Sequence, residues 1–187
     1  MAHVVFLRGA NVGGKNVFRP AQLAVALADL EVVNVGAAGT FVVRAKASEA
    51  AIRRAIAAAL PFVPRLAVVS GEEVLALAKR RPFRGVAIPK DGRAWAAAMD
   101  GPPTASPKLP IAAPATGRWS VRLDRVEGAF ALGLFQRKLG GGFIFPNQVV
   151  EKAFGVDATT RWWETIERVA ALLENSAASP AAKRARR

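Results

Sequence analysis

The sequence has no cysteine, no tyrosine and a single histidine, His3. Without cysteine there are no disulfides, no thiolate metal ligands and no cysteine nucleophile. A chain that needs no oxidising compartment is expected in the cytoplasm. One histidine next to the N-terminus argues against a histidine metal cluster and against a Ser-His-Asp triad. Carboxylates are also scarce, with 14 Asp and Glu in the whole chain. Glu72, Glu73, Asp29 and Glu31 are accounted for by helix capping and exposed turns, so no acid–base pair is assigned. No catalytic constellation, metal or cofactor is expected. Long apolar runs are missing too. The opening MAHVVFLRGANVGG lacks the basic start and apolar core of a signal peptide. The most apolar stretch, AAIRRAIAAALPFV, is broken by arginines and Pro61, so no membrane span is expected.

Positive charge is abundant instead. Lys and Arg number 27, for a formal net charge of +13. Lys183, Arg184, Arg186 and Arg187 supply four of these in the terminal KRARR, and subtracting them leaves +9 for the body. A basic body favours nucleic acid, phosphorylated small molecules or acidic surfaces as partners. An arginine- and alanine-rich surface that is merely well solvated fits the same numbers. The length of 187 residues allows one ordinary domain or two small ones.

Patterning along the chain alternates strand and helix. HVVFLRG (3–9) has the β-branched and aromatic density of a buried strand. Pro20 suits a first helical turn, and Leu23, Leu27 and Leu30 form an apolar stripe after it. EVVNVGAAG and TFVVRA (31–45) read as two strands joined near Gly36–Gly39. Ser48 reads as the N-cap of EAAIRRAIAAAL, with Ile52, Ile56 and Leu60 on one face. RLAVVS (65–70) is a strand, and Ser70 with Glu73 forms a capping box for the next helix. This β-α-β-β-α-β order predicts an α+β fold with a ferredoxin-like split βαβ unit over 1–90. A second α+β half over 91–175 reads as a distorted copy: strand RAWAAAM (93–99), a loop over 100–117 with five prolines, a hairpin around Glu127–Gly128, the connection LGGGFIF, the short helix NQVVEKAF, and a final helix over 159–174. Residues 176–187 read as a basic disordered tail.

Two stretches carry binding chemistry. RGANVGGK (8–15) joins the first strand to the first helix. Gly9, Gly13 and Gly14 let backbone N–H groups approach an anion, while Arg8 and Lys15 supply charge. The spacing matches neither G-x-x-x-x-G-K-[ST] nor G-x-G-x-x-G, which disfavours nucleotide binding by those two routes. The same glycines also fit a tight turn that needs positive φ. DATTRWWET (157–165) is the second stretch. Asp157, Thr159 or Thr160 caps the expected final helix, and Arg161 falls in a first turn where the dipole disfavours a cation. Either Glu164 or an external anion compensates it. Trp162 is expected in the helix core, and Trp163, at the flank, is expected to meet a ligand. GTFVVRA offers one Phe and no RNP-type set of rings, which supports no RNA-recognition motif.

RGANVGG, RPF (81–83) and TTRWWET, in that order, resemble the bacterial family called domain of unknown function 1697, over about residues 4 to 173. The family reads Arg-Gly-Ile-Asn-Val-Gly-Gly at the first motif, matched here except at Ala10. It reads Thr-x-Arg-Asn-Trp-x-Thr at the last, matched by Thr159, Arg161, Trp163 and Thr165, with Trp162 in place of Asn. Ala38-Gly39-Thr40 stands for Ser-Gly-Asn, and Ile144-Phe145 for a Ser-Lys. The resemblance implies an α+β fold of ferredoxin-like units and no assigned activity. Three departures at polar positions imply a divergent member, in which a ligand site of the relatives would be altered.

The expected function is binding of an anionic partner, foremost nucleic acid. The expected surface pairs residues 8–15 with the start of the final helix, where Arg8, Lys15 and Arg161 hold phosphates and Asn11 fixes the loop or bonds the ligand. An enzyme acting on a small phosphorylated substrate and a structural or homo-oligomeric protein are the alternatives.

Overall fold

Strand β1 (His3–Leu7) is the centre of the first sheet because every residue from Val4 to Leu7 is apolar and buried. A computed structural model of the chain describes residues 1–137 and 143–184, with side chains described through residue 175. After β1 come α1 (Pro20–Ala26), a 3-10 turn (Ala28–Leu30), β2 (Val32–Asn34), β3 (Thr40–Val43), α2 (Glu49–Ala59), β4 (Leu66–Ser70) and α3 (Gly71–Arg80). The four strands form an antiparallel sheet in the order β2-β3-β1-β4, so each strand-helix-strand connection skips one strand. Leu23, Ile52 and Ile56 of the two helices join Val5, Leu7, Phe41, Val43 and Leu66 in one core. The alternate residues Val4, Phe6, Val42, Ala67 and Val69 are buried as well, so both faces of this sheet are dry. Caps fall where the sequence places them. Ser48 Oγ accepts from Ala51 N, and Ser70 Oγ accepts from Glu73 N while donating to the Glu73 carboxylate. The first helix is shorter than its leucine stripe suggests. It stops at Ala26, and Leu27 and Leu30 reach the same core from the 3-10 turn that follows.

A second sheet is built from β5 (Gly92–Met99), β6 (Ile111–Ala113), β7 (Val121–Glu127), β8 (Phe130–Gln136) and β9 (Ala158–Trp162), in the order β6-β7-β8-β5-β9. Helix α4 (Pro146–Phe154) packs Val149, Val150 and Phe154 against Trp95, Ala97, Met99, Val121, Leu123 and Ala131. The proline-rich 100–117 stretch is not wholly irregular. It contributes the edge strand β6, the one kind of strand position that tolerates flanking prolines. Gly133 is fixed by packing: a Cβ there would collide with the Arg122 carbonyl and lie 2.6 Å from the Trp95 ring.

Helix α5 (Trp163–Arg184) ends the described chain. The chain divides into two units, residues 1–80 with 164–187, and residues 81–163. The final helix, expected within a second half over 91–175, belongs from residue 164 to the unit of the first sheet, where Leu173 lies against Gly71. The tail expected to be disordered from residue 176 overlaps the end of α5; its side chains, and residues 185–187, lie outside the described part. The mixed helices and antiparallel sheets make this an α+β protein. Among the described residues no helix is long and apolar enough to cross a membrane.

Candidate functional site

The first candidate stretch lies in the first unit and forms a miniature hairpin. Val12 and Lys15 make an isolated antiparallel bridge, with Lys15 N donating to Val12 O at 3.1 Å and Asn11 N to Asn16 O at 3.2 Å. Gly13 (φ +59) and Gly14 (φ +72) are both left-handed, as the two central residues of a type I′ turn must be. Asn11 (φ 55) and Asn16 (φ 49) adopt the same region, which Asn tolerates best after Gly. Nothing lies within 4 Å of a Cβ built on Gly9, Gly13 or Gly14, so backbone conformation rather than crowding requires glycine there. Asn11 braces the hairpin at its base. Its Oδ1 accepts from Phe18 N at 2.9 Å and its Nδ2 donates to Ala37 O at 3.1 Å. The alternative in which Asn11 fixes the loop is the one its geometry displays. Arg8 N donates to Arg65 O at 2.8 Å and the Arg8 side chain is half-buried, whereas Lys15 is exposed.

The second stretch lies in the other unit, and its geometry differs from the expectation. Thr159, Thr160 and Arg161 are not a helix start. They belong to β9, paired antiparallel with β5 through Ala98, Ala97 and Ala96, and the helix begins only at Trp163. Their backbone is therefore in a sheet, without the cluster of amides that a helix tip offers. Thr159 is buried, and Thr160 Oγ1 is buried with no hydrogen-bond partner. Arg161 is 8% exposed, and its Nη1 donates to Thr160 O at 2.8 Å. Desolvation by burial pushes its pKa down from the ordinary arginine range to about 10. A guanidinium this enclosed is not placed to hold a solvent-borne phosphate. Trp163 is not a free ligand platform either. Its ring meets Phe83 edge-to-face at 5.1 Å, and Arg125 lies 5.7 Å over Phe83 while its Nη2 donates to Pro82 O. The RPF and TTRWWET stretches thus meet around one ring pair. Other cations of this sheet are paired internally, Arg122 with Asp124 at 2.6 Å and Arg125 with Glu127 at 3.0 Å.

A feature that the sequence reading missed lies in this same unit. Trp162, expected in a helix core, ends β9 half-buried, with the Arg93 guanidinium 4.7 Å over its ring. Phe135 packs on Trp162 at 5.5 Å, Phe143 on Phe135 at 5.3 Å, and Phe145 on Phe143 at 4.5 Å. The row ends in solvent: Phe143 is 56% and Phe145 44% exposed. The legible signal was Phe143-x-Phe145 in LGGGFIF, read only as a connection; residues 138–142 of it lie outside the described part. Among the described residues no group of three or more His, Cys, Asp or Glu side chains could hold a metal ion.

Residues 1–125 match the family model described as "Protein of unknown function (DUF1697)". No curated protein matches the chain. The conserved bacterial protein SP0830 from Streptococcus pneumoniae is similar in structure, with a TM-score of 0.57 at 16% identity, over 92% of this chain and 98% of that one. At that identity the likeness concerns the fold alone.

Proposed function

The chain belongs to the DUF1697 family, and from that premise we propose that it binds an anionic partner, foremost nucleic acid, through cations spread over its surface rather than through an enclosing pocket. The observation that carries this reading is the charge excess and its distribution. The first unit has 15 Lys and Arg against 8 Asp and Glu, and the second has 12 against 6, giving +7 and +6. Neither unit is a neutral scaffold for the other. In the first unit the exposed Lys15 and Arg19 flank the hairpin, and Arg8 stands at its base. The open space above Gly13 and Gly14 is the room that a phosphate would need. Arg161 has no part in this contact, for the reason given by its burial.

Titration with mixed single- and double-stranded oligonucleotides over a salt series tests it. About six phosphate contacts on a single strand give a log–log slope near −4, or roughly a 300-fold loss of affinity between 50 and 200 mM salt. Lys15→Gln with Arg19→Gln lowers the slope by about 1 to 2 without changing the fold. Absence of binding at low salt ends the reading. Turnover of a small phosphorylated compound would favour an enzyme, and a salt-insensitive oligomer would favour a structural role.

A further inference from the structure

The aromatic row of the second unit does something that charge alone does not explain. Large apolar side chains left in water usually occur singly. Here the two exposed phenylalanines touch each other, at a ring separation of 4.5 Å and an interplanar angle of 67°. They continue through Phe135 to Trp162, and the row ends on a guanidinium. Four members are held by the backbone of the fold, and Phe143 lies between the rings of Phe135 and Phe145. Arg93 and Phe135 are register partners across β5 and β8, Trp162 is the register partner of Trp95, and Phe145 precedes Pro146 at the start of α4, where its N–H donates to Gln148 Oε1. The inner half of the row, Phe135 and Trp162, rests on the core under α4, and the outer rings pack on it in turn.

We propose that this row is a stacking platform for unpaired bases of single-stranded nucleic acid, with Arg93 fixed beside it for the sugar-phosphate chain. The proposal rests on the anion-binding reading above and names its partner more closely. Ring faces accept any base, because every base has a π face, and a basic surface tracks the backbone between them. The unit bearing the row has a formal charge of +6, which complements a polyanion and opposes a cationic partner. A duplex covers its base faces with neighbouring bases, so it offers nothing for Phe143 or Phe145 to stack on.

The test compares oligothymidylate of about ten nucleotides with an abasic sugar-phosphate chain of the same length and charge, at low salt. The base-bearing strand is expected to bind about tenfold more tightly, the effect of stacking one or two bases. Phe143→Ala with Phe145→Ala is expected to bring the two ligands within about twofold while leaving the salt slope unchanged, since the phosphates still meet the same cations. Phe143→Leu with Phe145→Leu keeps apolar bulk and removes the π faces, so it should lose the preference in the same way with the fold kept, as read by far-UV circular dichroism. Equal binding of both ligands by the unaltered protein overturns the platform and leaves the anion-binding reading standing. No binding of either ligand overturns both. A dimer in solution that dissociates on Phe143→Ala overturns the platform by assigning the rings to a second copy of the chain.

Discussion

Arg161 is a cation buried in the second sheet. Its register partner is Ala96, its neighbours across the sheet are alanines, and it is 8% exposed. Desolvation by burial leaves its pKa near 10, below the range of an arginine in the unfolded chain. A basic group whose folded pKa lies below its unfolded one destabilises the fold while charged. That burial cost is fully present below pH 10. It is relieved as pH rises above 10, where the folded protein gives up the proton before the unfolded chain does. The difference corresponds to about 3 kcal/mol at neutral pH. Arg161→Met should therefore be as stable as the natural chain at pH 7 or more stable, by up to about 3 kcal/mol, in urea unfolding. The natural chain should then recover the difference above pH 10. A loss of 2 kcal/mol or more at pH 7 would mean that its contacts outweigh its desolvation.

At the scale of elements, the hairpin at 11–16 depends on one amide. Asn11 satisfies Phe18 N and Ala37 O while sitting at φ 55, so Asn11→Ala removes two hydrogen bonds and places a Cβ without a local partner in the left-handed region. The expected loss is about 3 kcal/mol, from roughly 1 kcal/mol per bond and 1 kcal/mol of backbone strain. Asn11→Gly restores the backbone freedom and should recover about a third of it. The midpoints of denaturant unfolding measure both, and equal midpoints for all three proteins would show that Asn11 braces nothing. The brace itself was half legible. Positive φ could be read from the glycines, but Ala37 is 26 residues away and has no local signature. The same contrast runs through the fold. Elements specified by their own residues, such as α2 with its Ser48 cap or the hairpin of β7 and β8, lie where the sequence places them. Strand β9 does not, because ATTRW continues smoothly into the helical pattern of ETIERVAALL, and only pairing with β5 makes it a strand. That one non-local pairing moved the site residues Thr159–Arg161 from a helix tip into a sheet and put Trp162 at the end of a strand rather than in a helix core. The aromatic row was illegible for a related reason. Its five residues are spread from 93 to 162; strand register places Arg93, Phe135 and Trp162, and ring contacts from outside the strands add Phe143 and Phe145.

For the whole molecule, the question is which charges an anion would meet. The four terminal cations are the most conspicuous in the sequence, yet they belong to the unit that has +7, and without them it still has +3 while the other unit keeps +6. A tail-driven polyanion binder and a surface-driven one therefore separate cleanly. Changing Lys183, Arg184, Arg186 and Arg187 together to Gln leaves the chain at its full length and removes only this charge. If the surface carries binding, the log–log salt slope should fall by no more than about 3, the maximum for four lost contacts on a single strand, and affinity at low salt should remain measurable. The preference for base-bearing over abasic ligand should not change, because no tail residue belongs to the aromatic row. A slope that collapses to zero would place all the binding in the tail. The basic surfaces of both units would then be solvation and nothing more, since charge excess by itself fixes solubility and encounter rate rather than a site.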